Sequence, residues 1–181
     1  MKKFLFTALA FAAANFSFGQ SAYTENYGNG TKKCEGFYNA AVNISETDSK
    51  EVKAQKLASA IKVGKWSYWH ENGQLNAEQF FTNGTPSGVW KSWYRDGKQE
   101  FVIDFNTGNS TYWFQNGVKS EEGKMLPSMQ KDGAWVGYYE SGKKNYDGSY
   151  RNGQKDGLWN WYDEQGKIYF IEKWTNGVKV N

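Results

Sequence analysis

The chain has 181 residues, enough for one medium-sized domain or a short array of repeats. Its net charge of +3 is spread without any block of like charge, which excludes the basic footprint of a nucleic-acid-binding protein. Aromatic residues make up 18% of the chain, and a core built from rings favours β-strands.

Residues 1–19 have the pattern of a cleaved signal peptide. Two lysines precede an apolar run at 4–14 that is too short to span a bilayer comfortably, and Ser17 and Gly19 place small residues before the cut. The alternatives are a short membrane anchor or a buried helix. Cleavage would lower the 22 basic residues to 20 against 19 acidic ones, a net charge of +1. We therefore expect an exported protein that is periplasmic, associated with the cell envelope, or secreted.

Residues 20–62 are predicted to be a loop followed by a capping helix. Residues 26–38, NYGNGTKKCEGFY, indicate a loop or a decayed hairpin with a vestigial Asn-Gly turn. Residues 48–63 predict a helix with Asp48 as N-cap and Glu51 at the capping-box spacing. We expect this helix to cover the first edge of the sheet, with a strand or a membrane-surface helix as alternatives. Its loose apolar face consists of Val52, Leu57 and Ile61.

Residues 63–181 are built from a repeat, the signature of a stacked architecture. Five ten-residue segments align without gaps, each with glycine at both ends: 64–73, 88–97, 108–117, 133–142 and 157–166. The third position of the segments holds Trp66, Trp90, Ser110, Trp135 and Trp159. The sixth position holds Trp69, Trp93, Trp113, Tyr138 and Tyr162.

Each repeat predicts a β-hairpin. The Asn-Gly and Asp-Gly pairs that end three of the segments tolerate the positive φ angles of tight hairpin turns. The returning strands alternate between apolar and polar residues, as at Phe101, Ile103 and Phe105. The prediction is a mainly β fold, an antiparallel meander of stacked β-hairpins with about ten strands, preceded by a short N-terminal helix.

The stretch YRNGQKDGLWNWYDEQGK, residues 150–167, resembles the MORN-repeat variant of bacterial proteins, a group that includes YwqK-like antitoxins. The resemblance covers about residues 62–181, although the tighter Tyr-x-Gly-x-Trp rhythm of the classical MORN unit is not kept. It implies a twisted antiparallel sheet of stacked hairpins. It also implies binding to proteins or membranes rather than catalysis.

Few residues could support catalysis. The single cysteine, Cys34, and the single histidine, His70, would have to meet in space to form a nucleophile–base pair. Neither metal-ligand spacing nor a glycine-rich phosphate loop is present, so we expect neither a metal nor another cofactor. The acidic residues Glu71, Glu140 and Glu164 recur at one turn position, which indicates solvated turns rather than a hydrolytic pair. We expect no enzyme.

The aromatic residues of the strands are the candidate binding residues. Strand alternation places Trp66 and Trp69 on opposite faces, so one set of rings fills the interior and the other is available as a recognition strip, unless neighbouring repeats cover both. We expect a scaffold that binds a protein partner, with toxin neutralisation, envelope polysaccharide or a membrane surface as alternatives. The candidates are Trp66, Trp69, Trp90, Trp93, Trp113, Trp135, Tyr138, Trp159 and Tyr162.

Overall fold

The described residues, 20–39, 45 and 47–180, form one open antiparallel sheet with a single helix in this computed structural model. The thirteen strands of this part of the chain follow one another in sequence order, which confirms the predicted meander. The predicted signal peptide lies outside the described residues. The strands are β1 Ser21–Asn26, β2 Lys32–Tyr38, β3 Lys62–Trp69, β4 Leu75–Thr82, β5 Thr85–Trp93, β6 Gln99–Asp104, β7 Asn109–Trp113, β8 Lys119–Met125, β9 Lys131–Tyr138, β10 Lys144–Arg151, β11 Gln154–Tyr162, β12 Ile168–Thr175 and β13 Val178–Val180, with α1 Lys50–Ala58 between β2 and β3.

Two kinds of turn recur along the meander. Between β4 and β5, Asn83 and Gly84 have φ angles of 48° and 79°, as a two-residue hairpin turn requires. Between β3 and β4, Gly73 alone has positive φ, 84°, and its N–H donates to the carbonyl of His70 at 2.9 Å. The side chain of Asn72 also stabilises this turn, because its Oδ1 accepts from the backbone N–H of Gln74 at 3.1 Å.

The N-terminal segment is a further copy of the hairpin rather than a loop. Strands β1 and β2 pair antiparallel around a turn in which the N–H of Gly30 donates to the carbonyl of Tyr27 at 2.9 Å. The φ of Gly30 is 84°, the same value as at Gly73. Of the two sequence interpretations, the hairpin is therefore correct, and it belongs to the same sheet as the repeats.

The helix is shorter than the predicted range 48–63 because Lys62 and Val63 already belong to β3. Ser49, not Asp48, is the N-cap, and its hydroxyl accepts from the N–H of Val52 at 3.3 Å. The carboxylate of Asp48 instead pairs with Lys56 at 2.7 Å.

The helix covers a face of the sheet, not its first edge. Leu57 packs against the buried cluster of Cys34, Tyr38 and Trp66, whereas Val52 is 38% exposed and Ile61 lies past the helix end. The first edge of the sheet is strand β1, because β2 pairs with β3 at the place where the helix is predicted to cover the edge.

The core lies on the face of the sheet that carries the third-position tryptophans, which we call the core face. Each of these indoles lies against the preceding hairpin and donates its N–H to a backbone carbonyl there, at 2.7 to 3.1 Å. Three of them cover a glycine, at which an added Cβ would overlap the indole. These glycine–tryptophan pairs are Gly36 with Trp66, Gly123 with Trp135, and Gly148 with Trp159.

The last repeat leaves apolar side chains uncovered. Ile168, Tyr169, Phe170 and Ile171 are 42 to 61% exposed. No helix in the described ranges has the length and apolar character needed to cross a bilayer.

Candidate functional site

The nine candidate residues divide into two sets with different environments. The four third-position tryptophans are at most 6% exposed, so they form the core and cannot contact a partner without unfolding. The five sixth-position rings are half-buried and lie on the opposite face. The buried residues are Trp66, Trp90, Trp135 and Trp159; the half-buried residues are Trp69, Trp93, Trp113, Tyr138 and Tyr162.

The half-buried rings lie on one continuous row that crosses the sheet. Each ring pairs in register with the first residue of the next strand, as Trp69 does with Leu75 and Trp93 with Gln99. Rings therefore alternate with non-aromatic residues, one ring on every second strand. At about 4.8 Å per strand, neighbouring rings are about 10 Å apart.

Lysines cover the rings at both ends of this row. The ammonium groups of Lys32 and Lys144 lie 4.9 and 5.1 Å from the ring centroids of Trp69 and Tyr162, within cation–π range. Lys119 lies 5.9 Å from the ring of Tyr138. Each of these lysines also pairs with a carboxylate three residues further along its strand, at 2.5 to 3.0 Å.

The two tyrosines of the row are tied into this ionic network. The hydroxyl of Tyr138 donates to Glu122 at 2.5 Å, and that of Tyr162 donates to Asp147 at 2.7 Å. Burial and then the Glu122 carboxylate raise the pKa of Tyr138 to about 12. Hydrogen bonds from Lys119 and then Tyr138 lower the pKa of Glu122 below its usual range. Both tyrosines thus remain neutral donors held by the protein itself.

The three tryptophans of the row differ from every other described tryptophan in their indole N–H groups. The indoles of the core face, including Trp161 and Trp174, donate to a carbonyl or carboxylate. Within the described residues, the indole N–H groups of Trp69, Trp93 and Trp113 make no hydrogen bond to the protein, and they are open to solvent because no buried side-chain nitrogen lacks a partner. We call these three residues the tryptophan stripe. Trp93 and Trp113 also have no lysine over their rings in this part of the chain.

A second set of rings fixes the backbone of the stripe. In four hairpins the residue after the sixth position reaches to the next repeat: Tyr27 donates to the carbonyl of Trp69 at 2.9 Å, and Tyr94 to that of Trp113 at 2.6 Å. The Nε2 atom of His70 lies 2.8 Å from the carbonyl of Trp93, and Tyr139 makes the same bond to Tyr162 at 2.6 Å. His70 therefore makes the same contact to the backbone of the stripe that tyrosine makes in other repeats.

The groups considered for catalysis do not assemble. Cys34 is buried as a free thiol 3.9 Å from Glu25, and burial raises its pKa, whereas His70 has the carbonyl of Trp93 as its partner. No group of three or more possible metal ligands occurs among the described residues. Three acidic turn residues are exposed and belong to three different turns, as a solvated turn position requires: Glu71, Glu140 and Glu164.

Comparison with protein families gives three matches to the MORN repeat variant, at residues 62–83, 131–152 and 155–176. Each match starts at the strand that carries a third-position tryptophan and extends through the returning strand of its hairpin. A search of the curated proteins found no match. With the stacked hairpins of the fold, these matches identify the chain as a protein that carries MORN-variant repeats.

Proposed function

We propose that the chain is an exported, non-enzymatic repeat scaffold that binds a protein partner through the tryptophan stripe. The observation that carries this proposal is the set of three half-buried indoles with unbonded N–H groups at Trp69, Trp93 and Trp113. Tryptophan is a preferred anchor of protein interfaces because it offers a large apolar ring and a donor that bonds a partner's carbonyl. Among the described residues, no lysine covers the centre of the stripe, Trp93 and Trp113.

The N-terminal pattern of residues 1–19 supports export, and we place the protein in the periplasm, on the cell envelope or outside the cell. The bacterial origin and the likeness to YwqK-like antitoxins remain part of the proposal. A toxin would then be one kind of protein partner, provided that it acts outside the cytoplasm. A toxin gene beside the gene for this chain would favour that partner.

Envelope polysaccharide is the second candidate ligand of the same surface. The regular spacing of about 10 Å between rings favours it, because a linear polymer of sugar rings can stack on several evenly spaced aromatic side chains. If the wild-type chain binds sugars on a glycan array and Trp93→Ala does not, the ligand of this surface is a polysaccharide rather than a protein.

The test is a crosslinking pull-down from cell-envelope extract with the mature chain as bait. The double variant Trp93→Ala/Trp113→Ala should lose at least tenfold of the recovered partner while its circular dichroism spectrum stays unchanged. Tyr169→Ala is the matched control, because Tyr169 is an aromatic side chain 61% exposed outside the stripe. Equal recovery by the stripe variant, or no partner recovered by folded wild-type chain, would contradict the proposal.

A further inference from the structure

The core face holds lysine ammonium groups in aromatic surroundings at three places. Lys131 lies 4.1 Å from the ring centroid of Trp135 and 5.4 Å from that of Tyr150. Lys155 lies 4.2 to 5.1 Å from three tryptophan rings, and Lys62 lies 4.6 Å from Trp66. Each of these lysines stands two residues before the first glycine of its repeat. The chain thus uses the rings of this face to hold its own ammonium groups.

The second and third repeats have no lysine at this position. Pro86 and Asn106 stand there instead. The core-face rings are nevertheless retained in this part of the sheet, where Phe101 and Tyr112 lie 5.6 Å apart. Among the described residues, no lysine lies over either ring.

A groove of about 560 Å³ opens beside these two rings, and Trp113 and Tyr138 of the half-buried row also line it. Its lining includes the rings of Phe101, Tyr112 and Tyr146 and the carboxylates of Glu100 and Glu121. Glu121 is already neutralised, because Lys131 donates to both of its oxygens at 2.6 and 2.8 Å. Tyr146 adds a third bond to it at 2.6 Å.

Glu100 is the uncompensated charge of this groove. Its carboxylate accepts from the hydroxyl of Ser92 at 2.5 Å, and no lysine or arginine of the described residues pairs with it. A ring-lined groove with one unpaired negative charge is complementary to a single organic cation. The ammonium groups of Lys131 and Lys155 show the same combination inside the chain, since each contacts both a tryptophan ring and a glutamate.

We infer that this groove binds the ammonium group of a lysine side chain presented by a partner polypeptide. The four methylene groups of lysine lie along Phe101 and Tyr112, and the ammonium group pairs with Glu100. Trp113 of the stripe also lines this groove, but the inference rests on Phe101, Tyr112 and Glu100 and not on the indole N–H groups of the stripe.

The test is a titration of the ¹⁵N-labelled chain, followed by NMR, with N-acetyl-lysine-N′-methylamide as the probe. The expected result is saturable shifts at the amides of Phe101, Tyr112 and Ser120, with at least fivefold weaker binding of the norleucine analogue, which lacks only the ammonium group. Glu100→Gln should also weaken lysine binding at least fivefold, and it retains an acceptor for Ser92. Glu140→Gln, an exposed change in a neighbouring turn, should leave the affinity unchanged.

Three results would overturn the inference. These are equal binding of the norleucine analogue, unchanged affinity in Glu100→Gln, and tighter binding of the arginine analogue, which would assign the groove to a guanidinium group. Trp93→Ala, a change in the stripe that leaves the lining of the groove intact, should retain lysine binding in full. Loss of partner binding at the stripe and loss of lysine binding in the groove can therefore be told apart.

Discussion

At the scale of single residues, one hydrogen bond recurs from repeat to repeat and explains the only histidine. The side chains of Tyr27, His70, Tyr94 and Tyr139 all reach the backbone carbonyl of a sixth-position residue in the next repeat. Phe114 occupies the same place and has no polar atom to make this bond. The identity of the ring is therefore interchangeable as long as it carries a donor.

His70→Tyr should leave stability unchanged, because the tyrosine hydroxyl replaces the bond to Trp93. His70→Phe should lower the free energy of unfolding by about 1 kcal/mol, the usual net contribution of one hydrogen bond. Phe114→Tyr should raise it by up to a similar amount by adding the missing bond. Urea denaturation measures all three, and a loss of stability in His70→Tyr equal to that in His70→Phe would refute the assigned role.

Gly148→Ala should destabilise the protein by about 1 to 3 kcal/mol, because the added methyl group overlaps the indole of Trp159 in a packed core. The cause is steric alone, since Gly148 is not among the residues with positive φ. Gly28→Ala is the control: nothing lies within 4 Å of its added Cβ, and its φ is not positive. Thermal unfolding should separate the two variants, and equal melting temperatures would argue against close packing at Gly148.

At the scale of the hairpins, the core keeps its volume when one tryptophan is lost. In the third repeat Ser110 replaces the tryptophan, and its register partner on the preceding strand is Ile103, where other hairpins have Gly123 or Gly148. Ile103 is 1% exposed, so it fills the space that an indole occupies elsewhere. A large side chain on one strand thus goes with a small one on its neighbour.

This exchange predicts strong coupling between two substitutions. Ile103→Gly alone should cost about 3 kcal/mol or more by leaving a cavity, and Ser110→Trp alone should destabilise by overpacking against Ile103. The double variant recreates the glycine–tryptophan pair and should recover much of the loss, with a coupling energy of about 1 to 3 kcal/mol. A double-mutant cycle from urea denaturation gives this value, and strictly additive effects would contradict the pairing.

The last hairpin predicts a pH effect. Hydrogen bonds from Lys179 first, and from the indoles of Trp161 and Trp174, lower the pKa of Glu172 to about 2. Because the pKa is lower in the folded state, this stabilisation is complete above the ordinary glutamate pKa of about 4.3 and is lost as the pH falls from there toward 2. Glu172→Gln should therefore lose less stability than wild type between pH 5 and pH 2. Identical acid profiles for Glu172→Gln and wild type would rule out this contribution.

The glycine spacing and Asn-Gly turns predicted the strands of the repeats well, because these residues determine local backbone geometry. The first hairpin was harder to recognise, since Tyr23 takes the place of the tryptophan and Asn26 that of the sixth-position ring. The signals it retains are Tyr27 three residues before Gly30, and Gly36 six residues after it. The helix ended early because Lys62 joins strand β3, a long-range pairing that local propensity does not contain.

At the scale of the whole molecule, the sheet separates two sets of rings by face. Strand alternation predicted that Trp66 and Trp69 lie on opposite faces, but not which set is buried. That depends on the glycines of the preceding hairpins, which make room for the third-position indoles and so define the core face. The candidate surface is thereby reduced from nine residues to the three tryptophans of the stripe, with Trp93 and Trp113 at its centre.

The division of the rings into a buried set and a partner-binding stripe is tested most directly by measuring partner recovery and melting temperature in the same variants. Trp135→Phe should lower the melting temperature, because a buried indole and its bond to Lys124 are lost, while the folded protein still recovers its partner from envelope extract. Trp93→Ala/Trp113→Ala should lose at least tenfold of that recovery with a smaller change in melting temperature. Undiminished recovery by the folded stripe variant would contradict the account.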